Sequence, residues 1–437
     1  MRITLLNGLY PPNGAGGAET TLRLLAAQLS ERGHVCSILT LAPSLHAAKA
    51  TVDGIEVRYL PLANFYWPYK EPRPRSLRSL FHAADMFNPV MARQVRHNLQ
   101  ELRPDVVNCH NLLGFSASAW AAAANLRLPI VQTIHDYYIA CPRSTMWRPQ
   151  HGNCGTPCLE CRVFSKPRRT LSRLPDAVTC VSHRVFDRLS AAGAFRGATR
   201  GRQPVRIIRG NNVHTTAAGP APPPPAGADG AAGERRLTLG FMARLEPSKG
   251  LEKLLDAIAG LPVQLLIAGS GAAAYESGLR ARCSQDVRAE FLGHTSPAAF
   301  FPRIDLLVIP SQWEDPFPRV FHEALAYGVP SLVPPRGGLP EVVQPGRNGF
   351  IASGTDAASL HADLRSLLVQ GFDREAMRQK TLASAQLYAP DRIVSQYEAV
   401  LSAVAARRPV PDDAGEVWRA GAPLAALDSR RIVHDCP

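Results

Sequence analysis

Asp315 and Glu323 stand eight residues apart around Pro316-Phe317-Pro318-Arg319. Ahead of them, Asp305-Leu306-Leu307-Val308-Ile309 is a short apolar run of the kind buried in a parallel sheet. The spacing predicts a helix from Arg319 to Tyr327, ended by Gly328 and stopped by Pro330, with Ser331-Leu332-Val333 as the next strand. A carboxylate at the mouth of a sheet and a second on the following helix can grip hydroxyl groups. The same two acids could equally be a helix cap and a surface charge.

Other residues with chemistry recur at similar places. Arg244 and Lys249 bracket a turn before a predicted helix Leu251–Ala259. Gly16 and Gly17 close a glycine-rich loop, Tyr10–Glu19, between a predicted strand Ile3–Asn7 and a helix Thr20–Arg32. Bare backbone N–H groups at such a helix start attract phosphate, although the spacing is not GxGxxG. His135-Asp136 follows a predicted strand Ile130–Ile134, at the end where open α/β sheets keep their ligands. Cys141, Cys154, Cys158 and Cys161 follow as C-x12-C-x3-C-x2-C, with His151 inside the run. Four cysteines so close suggest a structural zinc held by thiolates; the bland alternative is four free thiols.

The elements needed to position these groups alternate as strand and helix in both halves, which argues for two parallel sheets. The first half has further strands at Val35–Leu41, Pro104–Asn108, Ala177–Val181 and Val205–Ile208, and an alanine-rich helix Ser116–Leu126. Residues 43–101 read as less regular, with an aromatic and basic stretch Tyr66–Arg78 that suits an acceptor-side or membrane-facing loop, or an ordinary excursion. Residues 217–233 are almost wholly Ala, Pro and Gly and cannot build a core, so they read as a linker. The expected organisation is a domain at 1–216 carrying the cysteine loop 141–161, then the linker. A second domain follows at 234–385, then a helix at 386–406 that could cross back to the first domain, and a poorly ordered tail at 407–437. In the second half, strands are expected at Leu237–Phe241, Val263–Ala268, Glu290–Gly293 and Asn348–Ile351.

With 437 residues, 46% hydrophobic and 19% charged, the chain can bury two or three cores. It has no run of 18 apolar residues, no basic-then-apolar leader and an odd nine cysteines, which together predict a cytoplasmic protein. The net charge of +13 is one-sided. Residues 1–216 hold 27 Lys and Arg against 12 Asp and Glu, and the remainder holds 22 against 24. Such asymmetry suggests that the first half meets an anionic partner, a membrane surface or phosphorylated lipid, or else carries merely solvated arginines.

Taken in order, Tyr10-Pro11-Pro12 with Gly16-Gly17, His110-Asn111-Leu112 and Thr133-Ile134-His135-Asp136 mark the first half. Arg244 with Lys249-Gly250, Gly293, Pro310-Ser311, Asp315-Pro316-Phe317 with Glu323-Ala324, and Gly337-Gly338 with Glu341 mark the second. In their order and spacing the chain resembles a family 4 glycosyltransferase. The cysteine loop is similar to one seen in part of that family. The resemblance implies a GT-B fold: two facing Rossmann-like, doubly wound parallel-sheet domains with a donor cleft between them. It implies retaining transfer of a sugar from a UDP- or GDP-sugar, with no cofactor required for catalysis. Arg244 and Lys249 would meet the diphosphate, faced by Gly16 and Gly17. Glu323 would take the ribose hydroxyls, and Asp315 and His135 the donor sugar; Gly293 and Phe317 would complete the donor pocket. The acceptor would be a glycan or a lipid-linked glycan in cell-surface polysaccharide or glycoconjugate synthesis, at the inner face of the membrane.

Three departures from the family pattern bear on this. Asp315 replaces the usual Glu, although Glu314 stands just before it. Pro318 replaces a common Gly and so lacks a backbone donor. Asn211-Asn212-Val213-His214 replaces Asn-Gly-Val-Asp. They leave room for a catalytically degenerate sugar-nucleotide-binding protein or a nucleotide-sugar epimerase. A nucleic-acid-binding role rests on basic charge alone, with no recognisable motif, and no nucleic-acid partner is expected.

Overall fold

The computed structural model describes residues 1–14, 16–69, 73–210, 236–283 and 288–419. The linker 217–233, Asn211–His214 and the tail beyond 419 lie outside the described residues. The chain divides into two compact units. The first comprises Met1–Met146, Cys154–His214 and Pro390–Leu424; the second comprises Trp147–Asn153, Thr215–Ala389 and Ala425–Pro437.

The first unit is built on β1 (Arg2–Leu6), β2 (Val35–Ala42), β3 (Ala48–Val52), β4 (Ile55–Pro61), β5 (Val106–Cys109) and β6 (Ile130–Ile134). A two-strand hairpin, β7 (Trp147–Arg148) and β8 (Gly152–Asn153), stands apart from the large sheets. Then come β9 (Ala177–Cys180) and β10 (Val205–Ile207). From one edge the order is Glu416–Val417, β10, β9, β6, β5, β1, β2, β4, β3. Pairing is parallel except at the two edges, where β3 meets β4 and Glu416–Val417 meets β10 antiparallel. Strands β1, β5 and β6 are short apolar runs because both of their faces are covered. Strand order reverses direction around β1, which places the ends of β1, β5 and β6 at a crevice.

The helix Pro390–Ala405 groups with this unit. Its Ile393, Val394, Tyr397, Val400, Leu401 and Val404 recur at helical spacing and share a core with Ile3, Leu5, Val106 and Val131. Residues 43–101 prove regular: beyond β3 and β4 they form helices Arg75–Ala84 and Pro89–Leu102. The pattern hid them for physical reasons. Four of the five β3 residues are exposed, and the first of these helices buries only Phe81. Residues 407–419, expected to be poorly ordered, are anchored by buried Val410, Ala414 and Trp418. The Trp418 ring lies 4.6 Å from Phe186, and its Nε1–H donates to Asp187 at 2.7 Å.

The second unit carries β11 (Leu237–Met242), β12 (Val263–Ala268), β13 (Ala289–Gly293), β14 (Leu306–Val308), β15 (Ser331–Val333) and β16 (Gly349–Ile351). The order β13-β12-β11-β14-β15-β16 is parallel throughout. Running outward in both directions from β11 and β14 is the Rossmann arrangement, and it leaves a crevice at the carboxyl ends of those two strands. Leu239, Phe241, Leu265, Ile267 and Val308 form the core with Leu251, Leu254 and Leu255 of the helix Leu251–Ala257 and Leu360 and Leu364 of the helix Ala357–Gln370.

Candidate active site

In the second unit the switch point sets three loops side by side. After β11, Pro247–Lys249 makes one tight turn and Gly250 starts the helix Leu251–Ala257. After β14 comes the loop that holds Trp313 to Pro318. Gln312 N–H donates to the Ser248 carbonyl at 2.8 Å, tying the two loops together. Gly250 adopts φ +75, and a Cβ there would stand 2.0 Å from the Pro310 carbonyl oxygen. Only glycine allows that approach. The loop after β15 closes from the other side: Gly338 N–H donates to the Asp315 carbonyl at 3.0 Å. Gly337 (φ +75) could carry a Cβ only 2.3 Å from that same oxygen.

This frame brings Lys249 Nζ to 2.6 Å from Asp315 Oδ2 and 5.2 Å from the Trp313 ring centre. Of the two adjacent acids, Asp315 is thus the one paired with Lys249. Helix Arg319–Ala326 follows, with Pro318 at its start (φ −68) and no side-chain cap. One turn into it, Glu323 Oε1 accepts from Arg319 Nη2 at 2.9 Å. Burial pushes the Glu323 carboxyl above its ordinary range, and the Arg319 guanidinium opposes that. Arg319 carried no role in the sequence reading. An i,i+4 arginine-carboxylate pair was the available signal.

Arg244 stands apart from this cluster. Its side chain is 80% exposed and pairs loosely with Glu246 at 3.5 Å, so its planar fork is open to a ligand. Gly293 ends β13 with φ +65 and accepts from Gly269 N–H at 2.7 Å. Phe317 lies differently from a ligand-facing ring. It is 3% exposed and packs on His322 at 4.8 Å and Phe321 at 6.4 Å, so it anchors the loop from inside. Burial, then Arg319, push the His322 ring down to about 3.

In the first unit, Gly16 is the N-cap of helix Gly17–Glu31, which begins three residues before the expected start. Gly16 has no side chain with which to cap the helix, and the Glu19 carboxylate of the first turn lies close to Gly16. His135 leaves β6 beside His110, which leaves β5. The two rings are nearly coplanar, 18° apart, with His110 Nδ1 2.8 Å from His135 Nε2. Burial, then the His135 ring, hold His110 well below the usual histidine range, so His110 enters the hydrogen bond as a neutral ring. Asp136 is pushed up to about 6 by burial. It accepts from Tyr138 N–H at 2.7 Å and from Asn111 Nδ2 at 3.3 Å. The sequence gives His110 no role beyond its motif; its contact with His135 comes from strand adjacency that sequence separation conceals.

Cys141 and Cys161 sulfurs lie 3.7 Å apart, both buried, and Cys158 is in side-chain hydrogen-bond reach of Cys161; Cys154 and Cys158 are half-buried. Among the described residues no group of three or more His, Cys, Asp or Glu side chains is arranged to hold a metal ion. No helix among them is long and apolar enough to cross a membrane.

Comparison with known proteins agrees with this architecture. Residues 15–198 match the family described as Glycosyltransferase Family 4, and residues 228–383 that described as Glycosyl transferases group 1. An uncharacterized 42.6 kDa protein in the cps region of Klebsiella pneumoniae is 26% identical over 343 residues, covering 78% of this chain and 87% of that one. A Mycobacterium tuberculosis glycogen synthase is 27% identical over 409 residues, covering 90% and 91%. Among solved structures, sucrose-phosphate synthase from Thermosynechococcus elongatus superposes with a TM-score of 0.68 at 17% identity, covering 93% and 99%. Anabaena HepE in complex with UDP gives 0.63 at 19%, covering 92% and 100%. These structural likenesses establish the fold. With one family match on each sheet, in chain order, the chain belongs to the family 4 glycosyltransferases of the GT-B fold.

Proposed function

We propose that this glycosyltransferase moves a sugar, with retention of configuration, from a UDP- or GDP-sugar to a glycan or lipid-linked acceptor in cell-surface polysaccharide or glycoconjugate synthesis. The observation that carries the reading is the pairing of Lys249 with Asp315 and Arg319 with Glu323 at the switch point of the second sheet. Breaking the bond between anomeric carbon and phosphate builds negative charge on the leaving diphosphate, which fixed cations stabilise best where water is excluded. Lys249 supplies a point charge and Arg244 a planar fork for that charge. Glu323 takes the ribose hydroxyls, and Asp315 and His135 orient the sugar. Backbone N–H groups at the start of helix Gly17–Glu31 are further candidate donors for phosphate.

Thermal-shift screening against UDP, GDP, ADP and their sugars tests the donor. A nucleotide at a hundred times its Kd stabilises by about 2.7 kcal/mol and stands out from the others. Product anomers read by NMR then test retention. Stabilisation by none of these ligands, or undiminished turnover in Glu323→Ala protein, would overturn the reading. Sugar interconversion in donor incubated alone would point to an epimerase instead.

The cysteine loop is proposed to hold a structural zinc, with Cys141 and Cys161 as the preformed half and Cys154 and Cys158 completing it. The 3.7 Å between the two sulfurs fits the edge of a tetrahedron with Zn–S near 2.3 Å, about 3.8 Å, better than a disulfide at about 2.05 Å. Backbone N–H groups of Arg143 and Met146 also donate to Cys141. Metal analysis of protein purified without chelator should find one zinc per chain, lost in Cys161→Ser. An intact mass two hydrogens low, from a Cys141–Cys161 disulfide, would refute it.

A further inference from the structure

The short hairpin β7–β8 meets the loop that holds Asp315 through the Asn153 side chain. The hairpin, Trp147–Asn153, groups with the second unit, as that loop does. Its strands pair antiparallel, Trp147 with Asn153 and Arg148 with Gly152. His151 N–H donates to the Arg148 carbonyl at 3.1 Å and closes the turn between them. Gly152 supplies the left-handed residue (φ +68) that so tight a reversal needs. This turn fixes the position from which Asn153 projects.

Asn153 Nδ2 donates to the Gln312 carbonyl at 2.9 Å, and its Oδ1 accepts from Glu314 N–H at 2.9 Å. A residue of a parallel strand would bond across Trp313 in the same way, to the carbonyl before it and the N–H after it. The two partners need opposite ends of one amide. A carboxylate, which only accepts, cannot replace it, and neither can an alkyl group. Other bonds hold the base of the loop. The Gln312 carbonyl also accepts from Arg336 Nη1 at 3.2 Å, and the Gln312 side chain donates to the Pro310 and Thr355 carbonyls at 2.8 and 2.9 Å. The next peptide group, joining Trp313 to Glu314, is held by Asn153 at its N–H. Its carbonyl accepts from Asp315 N–H at 2.8 Å. Asp315 therefore hangs on the peptide group that Asn153 fixes.

From this bracket we infer that Asn153 is a positioning residue for Asp315, setting the direction in which that carboxylate meets the donor sugar. Three bonds define the acid. Asn153 holds the peptide group before it, Gly338 N–H donates to its carbonyl at 3.0 Å, and Lys249 Nζ lies 2.6 Å from Oδ2. Without the Asn153 amide the Trp313–Glu314 peptide can rotate, and the acid turns with it. The nucleotide side of the site is held separately. Ser248, beside Lys249, accepts from Gln312 N–H at 2.8 Å, and Glu323 is carried by helix Arg319–Ala326. Asn153 therefore bears on the sugar and leaves the nucleotide contacts in place. That consequence rests on the proposed reading of Asp315 as a sugar contact; the hold on the loop does not.

The test joins hydrogen exchange over residues 311–317 with ligand affinities, both on the full chain. Asn153→Ala is expected to speed exchange of the loop amides. It should weaken UDP-glucose or GDP-mannose, whichever the wild type binds, by about tenfold, the worth of one well-placed bond to a charged group. Affinity for UDP or GDP alone should stay unchanged. Asn153→Asp keeps the shape and the acceptor but loses the donor, so both readouts should move in the same direction as in Asn153→Ala. Gln150→Ala, at the exposed turn of the same hairpin, leaves both unchanged. Four outcomes overturn the inference: unchanged exchange in Asn153→Ala, equal weakening of nucleotide and nucleotide-sugar, wild-type behaviour in Asn153→Asp, or a matching loss in Gln150→Ala. Wild-type protein that binds none of these ligands rejects the donor reading alone, and exchange still decides whether Asn153 holds the loop.

Discussion

Replacing Arg319 by Gln removes a charge from beside Glu323 while keeping most of the side chain. The pair is close, 2.9 Å, with the two side chains 22% and 17% exposed. Exposed pairs are worth up to about 1 kcal/mol, whereas stranding one partner of a buried pair costs about 3–5 kcal/mol. A half-buried pair falls between, so Arg319→Gln should lose about 2 kcal/mol of stability at about pH 8. The pH dependence is the sharper signature. Burial raises the Glu323 carboxyl above its ordinary range and Arg319 counters it, so the variant raises it further. A carboxyl with a raised folded pKa binds its proton more tightly in the folded state, so acidification toward the ordinary carboxylate range relieves the penalty. The stability deficit should therefore shrink as pH falls from about 8 to about 5. Nucleotide binding should move the other way, because hydroxyl groups need the ionised acceptor. Its thermal shift should fade at a higher pH in Arg319→Gln than in the wild type. Denaturant unfolding and nucleotide thermal shifts across that range measure both. A deficit independent of pH, or binding that keeps the wild-type pH profile, would refute the role given to Arg319.

Lys249→Ala and Asp315→Ala should each weaken nucleotide-sugar binding. A double-mutant cycle on stability should show a coupling of about 1–3 kcal/mol, as groups in direct contact do; additive effects would mean that the 2.6 Å pair is inconsequential. His110→Leu should lower turnover with little change in nucleotide affinity, because it frees the His135 ring. His110→Asn, whose amide can reach the place of Nδ1, should restore part of it, and equal loss in both would mark a packing role only. Gly337→Ala should cost more than about 2 kcal/mol in denaturant unfolding, since it combines a left-handed backbone with a Cβ 2.3 Å from the Asp315 carbonyl.

Much of the scaffold is readable along the chain because buried parallel strands are short apolar runs bounded by turn residues. Ile130–Ile134, Val263–Ala268 and Ser331–Val333 fall where the pattern puts them. Strand β3 and helix Arg75–Ala84 do not announce themselves, since their faces are mostly open and leave little period to read. Residues 407–419 look featureless until Trp418 finds Phe186, more than 200 positions earlier. At the candidate site, the sequence by itself determined the residue types and their local order: acids before and within one helix, a lysine before a glycine, a histidine after a strand. Only the tertiary structure decided which of them meet. Strand order makes β5 and β6 neighbours and so sets His110 beside His135; the switch between β11 and β14 carries Lys249 to Asp315 across 66 residues. It also decided that Phe317 turns inward and that Cys141 meets Cys161. The physical reason is common to all of these. Hydrophobic period specifies each element from its own residues, but pairing of elements is set by the packing of whole sheets, which no local window of sequence contains.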